Sequence, residues 1–398
     1  MSKSVTILGL ESSCDETSCS VVADGLDVRS NVVSTQIDLH ARFGGVVPEI
    51  ASRAHIEAVN TVVGQALETA GVRAGEIDAV AVTAEPGLIG SLLVGLMAAK
   101  TLAWAWDVPL IGVNHVYAHA YAAALRKVPA CGSNNPAPAS ACGGPIEYPA
   151  VALICSGGHT ALYRCSSPTE MELLGTTIDD AAGEAFDKVA SILKLGFPGG
   201  PAVERAAKRG DPAAVDFPRT LLDGQSLDFS FSGLKTAVLY HVNGLPETRR
   251  RKPVPSPETQ VPPPGVQVPP SSAAQRSLGV PAQSSTGPAR GTVHTPGQID
   301  DIAASFQAAV IDVLRIKLRR AVTLTGARTI VIGGGVSANA ALRAAAAELA
   351  DKLHCTLRLP PMEFCVDNGA MIAGLGFHYY RQGRFSDLDL EARATVRR

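Results

Sequence analysis

The chain has 398 residues, 46% hydrophobic, 18% charged and 5% aromatic, a globular composition large enough for two lobes with cores of their own and neither collagenous nor wholly disordered. The 35 Lys and Arg against 37 Asp and Glu leave a formal charge of -2, so no global basic field marks a nucleic-acid partner, although a local patch would suffice. Eight cysteines without a C-x-x-C pair, no secretory leader and no run of about 18 uninterrupted apolar residues predict reduced thiols, a cytoplasmic location and no membrane partner.

Val- and Ile-rich runs alternating with helix-like stretches predict an α/β fold. Strands are expected at Val5–Leu8, Cys19–Val22, Asp78–Thr83, Pro109–Val113, Pro149–Cys155 and Arg328–Ile332. Pro48 opens and Gly71 closes a helix with Ile56, Val59, Val63 and Leu67 on one face. A second helix, Ile302 to Val322, buries Ile302, Phe306, Val310 and Val313, and its Arg315, Lys317, Arg319 and Arg320 suit either a helix C-terminus or a ligand. Residues 128–148 lack periodicity and read as a surface loop. Twelve of the 27 prolines fall between Leu245 and Gln298; this Pro/Ser/Gln-rich stretch buries too little apolar area to offset its entropy and reads as a disordered insertion. Its Arg249–Lys252 run is a solvated cluster or a phosphate contact.

Five segments carry chemistry. Glu11-Ser-Ser-Cys-Asp-Glu-Thr17 links two strands by a polar turn whose hydroxyls and N–H groups suit phosphate and whose carboxylates suit a cation or a proton. Cys155-Ser-Gly-Gly-His-Thr160 and Gly333-Gly-Gly-Val-Ser-Ala-Asn339 are glycine turns after apolar strands, each either a tight turn or an anion loop. His115 and His119 stand four apart, on one face of a helical turn, where both could reach one metal or simply pack; Val116 replaces the Glu of a zincin H-E-x-x-H. Asp367 is a candidate third ligand or a helix N-cap. Asp179, Asp180, Glu184 and Asp187, interleaved with Ala, Gly and Phe, form a solvated face or line a cleft.

With Gly44–His55, Pro86–Gly95, Phe197–Pro201, Phe229–Val238 and Phe364–Ala373, these motifs closely resemble, in order through nearly the whole chain, the tRNA N6-adenosine threonylcarbamoyltransferase family, formerly described as O-sialoglycoprotein endopeptidases, of the actin/hexokinase-like ATPase superfamily. The resemblance implies two actin-like lobes, each a mixed sheet flanked by helices, around a central ligand cleft: residues 1–127 as the first lobe, 149–244 and 299–398 as the second with its last helix packing back on the first, and 245–298 as the insertion. It implies one divalent metal, iron(II) or zinc, on His115, His119 and Asp367. Threonylcarbamoyl-AMP would meet Ile154, Cys155, Ser156, Gly157, Gly158, Asp187, Gly200 and Asn339. The implied reaction is acyl transfer to N6 of adenosine 37 in tRNAs reading codons that begin with A, with release of AMP. Asp15 or Glu16 would orient or deprotonate the amine. Implied partners are tRNA, a paralogous platform subunit and a P-loop ATPase. Glu85, Tyr117 and Glu204 depart from the family pattern. Rival readings are a metalloendopeptidase, a non-catalytic platform paralogue and a sugar kinase or ATPase of the same superfamily.

Overall fold

The computed structural model describes residues 3–128, 143–220, 222, 224–244 and 294–395. Two sheets organise them. The first has the order β5-β4-β1-β2-β3-β6, with β1 (Thr6–Glu11), β2 (Glu16–Ala23) and β3 (Asp27–Thr35) antiparallel, β4 (Ala79–Glu85) and β5 (Leu110–Asn114) continuing in parallel from β1, and β6 (Arg126–Lys127) at the far edge. The second has the order β11-β10-β7-β8-β9: β7 (Ala150–Cys155), β8 (Thr160–Ser167) and β9 (Glu170–Thr176) are antiparallel, and β10 (Thr329–Gly333) and β11 (Thr356–Arg358) run parallel to β7. Read outward from its first strand, each sheet has the same connectivity.

The alternation of strand side chains splits the first lobe into two cores. Leu8, Leu10, Val80 and Val82 meet Val59, Val62, Leu96 and Ala99 of α2 (Pro48–Ala70) and α3 (Ile89–Trp106), whereas Ile7, Ala79, Ala81 and Val113 meet Ala118, Tyr121, Met371 and Leu375 of α4 (His115–Tyr121) and α10 (Gly369–Arg381). The last helix therefore crosses to the first lobe. Its approach needs two glycines: a Cβ on Gly9 would lie 2.2 Å from Gly369 O, and one on Gly369 would lie 2.6 Å from Gly9 O. By length and composition α3 alone among the described helices could cross a membrane; here Leu92, Leu96, Ala99 and Ala103 are buried in the core.

The second lobe is built on α8 (Pro296–Thr325), with α5 (Ala182–Ile192), α6 (Gly199–Ala207), α7 (Ser232–Asn243) and α9 (Ala340–Leu353) around it. Phe186, Phe229, Phe231 and Phe306 are all buried in that core. The short α1 (Ile37–Ala41) lies between β3 and α2.

Several expectations change. The strand β3 and the pair β8–β9 were not anticipated. In α2, Pro48 and the left-handed Gly71 mark the ends as expected, but the buried face runs through Ala51, His55, Val59, Val62 and Ala66 while Ile56 is 62% exposed. The expected insertion boundary at Gln298 moves back: Thr295 and Gln298 form a reciprocal capping box and Pro296 takes the first turn, so α8 starts six residues before Ile302. Residues 245–293, with the Arg249–Lys252 run, and residues 129–142 of the expected surface loop lie outside the described residues. Of the basic residues in α8, Lys317 is fully buried and donates to Ser226 O at 2.6 Å, and Arg320 donates to Leu222 O at 2.6 Å, so both tie the helix to the preceding segment.

Candidate active site and metal centre

Helix α4 begins where β5 ends. Asn114 caps it, its Oδ1 accepting from the N–H groups of Val116 and Tyr117 at 2.9 and 3.1 Å. Residues four apart then share a face, so the rings of His115 and His119 meet edge to face with centroids 4.5 Å apart. Asp367 arrives from the segment before α10. The capping alternative for this residue falls to its neighbour, since Asn368 Oδ1 accepts from Met371 N–H at 2.9 Å, and Asp367 Oδ1 lies 3.0 Å from His119 Nε2 and 3.5 Å from His115 Nε2.

The donor set fits a divalent cation. One ligand atom from each of the three residues lies within 4.8 Å of the others, and His119 is buried with neither ring nitrogen in a hydrogen bond, an arrangement that a metal would satisfy. Electrostatics agree. Burial opposes charge on Asp367, yet His115 and His119 hold its carboxyl well below the ordinary range. Burial likewise opposes charge on His115, but Asp367 and Glu11 raise it to about 9.

Glu11, which sequence reasoning missed, is the last residue of β1 and is 1% exposed. Its Oε2 lies 3.0 Å from His115 Nδ1 and accepts from Thr83 Oγ1 at 2.5 Å, while Oε1 accepts from Ser13 N–H at 2.5 Å. This leaves His115 Nε2 on the side of Asp367. His159 was also missed; it is lowered to about 4 by burial, with repulsion from His115 and His119 adding to the effect.

The acidic tip of the β1–β2 hairpin stands beside this cluster. Glu16 is pushed up to about 10 by burial, then by Asp367 and Asp15. His55 Nε2–H donates to Cys14 O at 3.0 Å and its Nδ1 faces Thr17 Oγ1 at 2.7 Å, which pins the tip from α2. Across the cleft, Asp187 on α5 accepts from Gly199 N–H at 2.7 Å; burial raises its carboxyl, with Asp15 contributing.

The second lobe contributes the β7–β8 turn. Ser156 and His159 close it by backbone and hydroxyl bonds of 2.8 and 3.1 Å. Gly157 and Gly158 are exposed, and a Cβ on either would meet nothing within 4 Å; the same space lies over Gly200. Other expected ligand contacts are committed to the fold. The side chains of Ile154 and Cys155 are fully buried. Asn339 caps α9 through Leu342 N–H at 3.0 Å and donates to Gln307 Oε1 at 2.7 Å. Glu204 Oε1 accepts from Ala340 N–H at 3.3 Å. The acidic segment divides: Asp179 receives Ser230 Oγ, Phe231 N–H and Ser232 Oγ at 2.5, 2.8 and 2.7 Å, and Asp180 pairs with Lys188 and Lys235 at 2.9 and 2.7 Å, so these two anchor the Phe229–Lys235 segment.

Two sheets of one connectivity, joined by α4 and meeting at a metal-capable acidic cleft, define a protein of the actin-like ATPase fold. A solved structure of full-length HypF in its phosphate- and nucleotide-bound form shares that fold, with a TM-score of 0.51 at 12% identity over 96% of this chain and 47% of that one. The model of the tRNA N6-adenosine threonylcarbamoyltransferase family matches residues 27–374. Enzymes of that name from Trichlorobacter lovleyi and Thermomicrobium roseum are 42% and 46% identical to the chain, each aligned over 98% of it and 96% of the relative. The chain belongs to this family.

Proposed function

We propose that the protein transfers the threonylcarbamoyl group from threonylcarbamoyl-AMP to N6 of adenosine 37 in tRNAs reading codons that begin with A. The observation that carries this reading is the placement of the His115/His119/Asp367 cluster between the acidic β1–β2 tip and the open Gly157–Gly158 turn, in a chain of this family. In the reaction the N6 amine attacks the carbamoyl carbon, the bond from that carbon to the phosphate oxygen breaks, AMP leaves, and the amine loses one proton.

Gly157 and Gly158 would direct N–H groups at the negative charge that builds on the carbonyl and phosphate oxygens. Asp187 and Gly200 border the space assigned to the adenylate, with Ser156 shaping the turn and Ile154, Cys155 and Asn339 supporting it from the core. Glu16, desolvated and crowded by acids, keeps its proton at neutral pH, which leaves Asp15 to accept the proton of the amine. His115, His119 and Asp367 would hold one divalent cation, iron(II) or zinc, which supplies Lewis-acid polarisation when bound.

The endopeptidase reading is weakened by Val116 in place of a general-base Glu, and the sugar-kinase reading by family membership. The exposed Ile56, Ile89, Leu93 and Met97 on α2 and α3 support docking of the platform subunit there, with the P-loop ATPase as a further partner and the cytoplasm as the location. The test is to supply the adenylate and unmodified tRNA with the partner subunits and analyse the nucleosides by mass spectrometry. Threonylcarbamoyladenosine is expected; its absence overturns the assignment. Asp15→Asn should cut transfer and spare adenylate binding, and unchanged transfer removes Asp15 from the role of base.

A further inference from the structure

We infer that the loop from Arg42 to Gly45, between α1 and α2, is a stacking platform for an unpaired nucleobase beside the target adenosine, with Phe43 as the stacking ring and Arg42 and Arg53 as its phosphate contacts. The inference rests on the proposed activity. Phe43 is 60% exposed, the most exposed phenylalanine among the described residues. The base of its loop is pinned to the acidic tip by a continuous chain of bonds. Gln36 N–H donates to Asp15 O at 3.1 Å, and Gln36 Nε2 donates to Ala51 O at 3.3 Å. His40, fully buried, accepts Val47 N–H at Nδ1 (3.3 Å), which leaves Nε2–H to donate to Gln36 Oε1 at 3.1 Å.

The tip of the loop is free by contrast. Gly44 has φ +68°, and a Cβ on Gly44 or Gly45 would meet nothing within 4 Å. The platform is thus indexed to Asp15 at its root and open to solvent at Phe43. Arg42 and Arg53 are exposed and have no ion-pair partner among the described residues. Asp38 and Glu49 lie on the same two helices, so the patch has little net charge, and stacking must supply most of the affinity. That balance suits single-stranded RNA, whose splayed bases are held on aromatic faces with basic side chains at the backbone.

The test uses the assembly with its partner subunits and unmodified tRNA, measuring KM for tRNA, kcat and adenylate affinity. Phe43→Ala should raise KM for tRNA about 5- to 100-fold and leave adenylate affinity unchanged, Phe43→Tyr should restore it, and the Arg42→Ala, Arg53→Ala double variant should make the salt dependence of tRNA binding shallower by about one unit of log–log slope. An unchanged KM in Phe43→Ala, in an assembly whose wild-type chain modifies tRNA, overturns the platform alone. Equal impairment in Phe43→Ala and Phe43→Tyr, or a defect cured by excess platform or ATPase subunit, also overturns it, because the loop would then serve folding or a protein contact. A wild-type chain that modifies no tRNA removes the proposed activity and the platform with it.

Discussion

Glu11 and His115, 104 positions apart in the chain, meet in the interior with Oε2 3.0 Å from Nδ1. The carboxylate fixes which imidazole nitrogen faces Asp367 and increases its basicity, the outer-shell arrangement that tunes a metal-binding histidine. Glu11→Gln, which keeps the shape and removes the charge, should weaken divalent-metal affinity about 10- to 100-fold. Competition with a chelator of known affinity measures this directly. Wild-type affinity in the variant would show that Glu11 is a folding residue only.

The unbonded ring of His119 gives a second expectation. Adding zinc or anaerobic iron(II) at about 100 times its dissociation constant should stabilise the wild-type fold by about 2.7 kcal/mol, and His119→Ala or Asp367→Asn should lose that increment. Thermal melts with and without metal read it out. A variant that retains full metal occupancy refutes the ligand set.

Two glycines separate folding from ligand binding. A Cβ on Gly333 would lie 2.2 Å from His119 O, backbone against backbone, so Gly333→Ala should cost about 1–3 kcal/mol or more and disturb the metal helix. Gly157→Ala adds its methyl to open space and should change stability by no more than about 0.5 kcal/mol, yet impair adenylate binding because the ligand would occupy that space. Urea midpoints and equilibrium binding distinguish the two. A Gly157→Ala protein with full adenylate affinity removes the turn from the ligand site.

His55 makes part of the stability depend on pH. Burial lowers its pKa below the ordinary 6.5, with the Cys14 carbonyl partly opposing. The unfolded chain therefore binds the proton more readily than the folded one, and stability falls as pH drops from about 6.5 through the folded value. The loss is at most about 1.4 kcal/mol per pH unit for one such group. His55→Gln should narrow the difference in urea midpoint between pH 7.5 and pH 5. An unchanged difference means that other buried histidines carry it.

Local chemistry made part of this legible. Pro48 and Gly71 bracket α2 because fixed φ suits a helix start and a left-handed residue ends it. The phase of that helix was not legible. Ile56 is the stronger hydrophobe, but His55 is drawn inward by Cys14 O and Thr17 Oγ1, partners set by tertiary structure. β9 was missed because its Glu170 to Thr176 run is largely exposed and lacks a clean alternation. The pair His115 and His119 could be read from helical spacing, and Asp367 only with the family motif; that Asn368 takes the cap and frees Asp367 is apparent only in the fold. Glu11 was invisible as a partner because no local pattern links residues so far apart.

The common connectivity of the two sheets has a consequence for how the cleft operates. The β1–β2 and β7–β8 hairpins hold the same station in their own sheets, yet one presents carboxylates and the other glycine N–H groups. One architectural unit, used twice, faces itself with opposite polarity. A swing of the lobes about α4 would change the gap between proton acceptor and anion cradle while leaving the internal shape of each intact, so interlobe angle alone could grade the catalytic competence of the site.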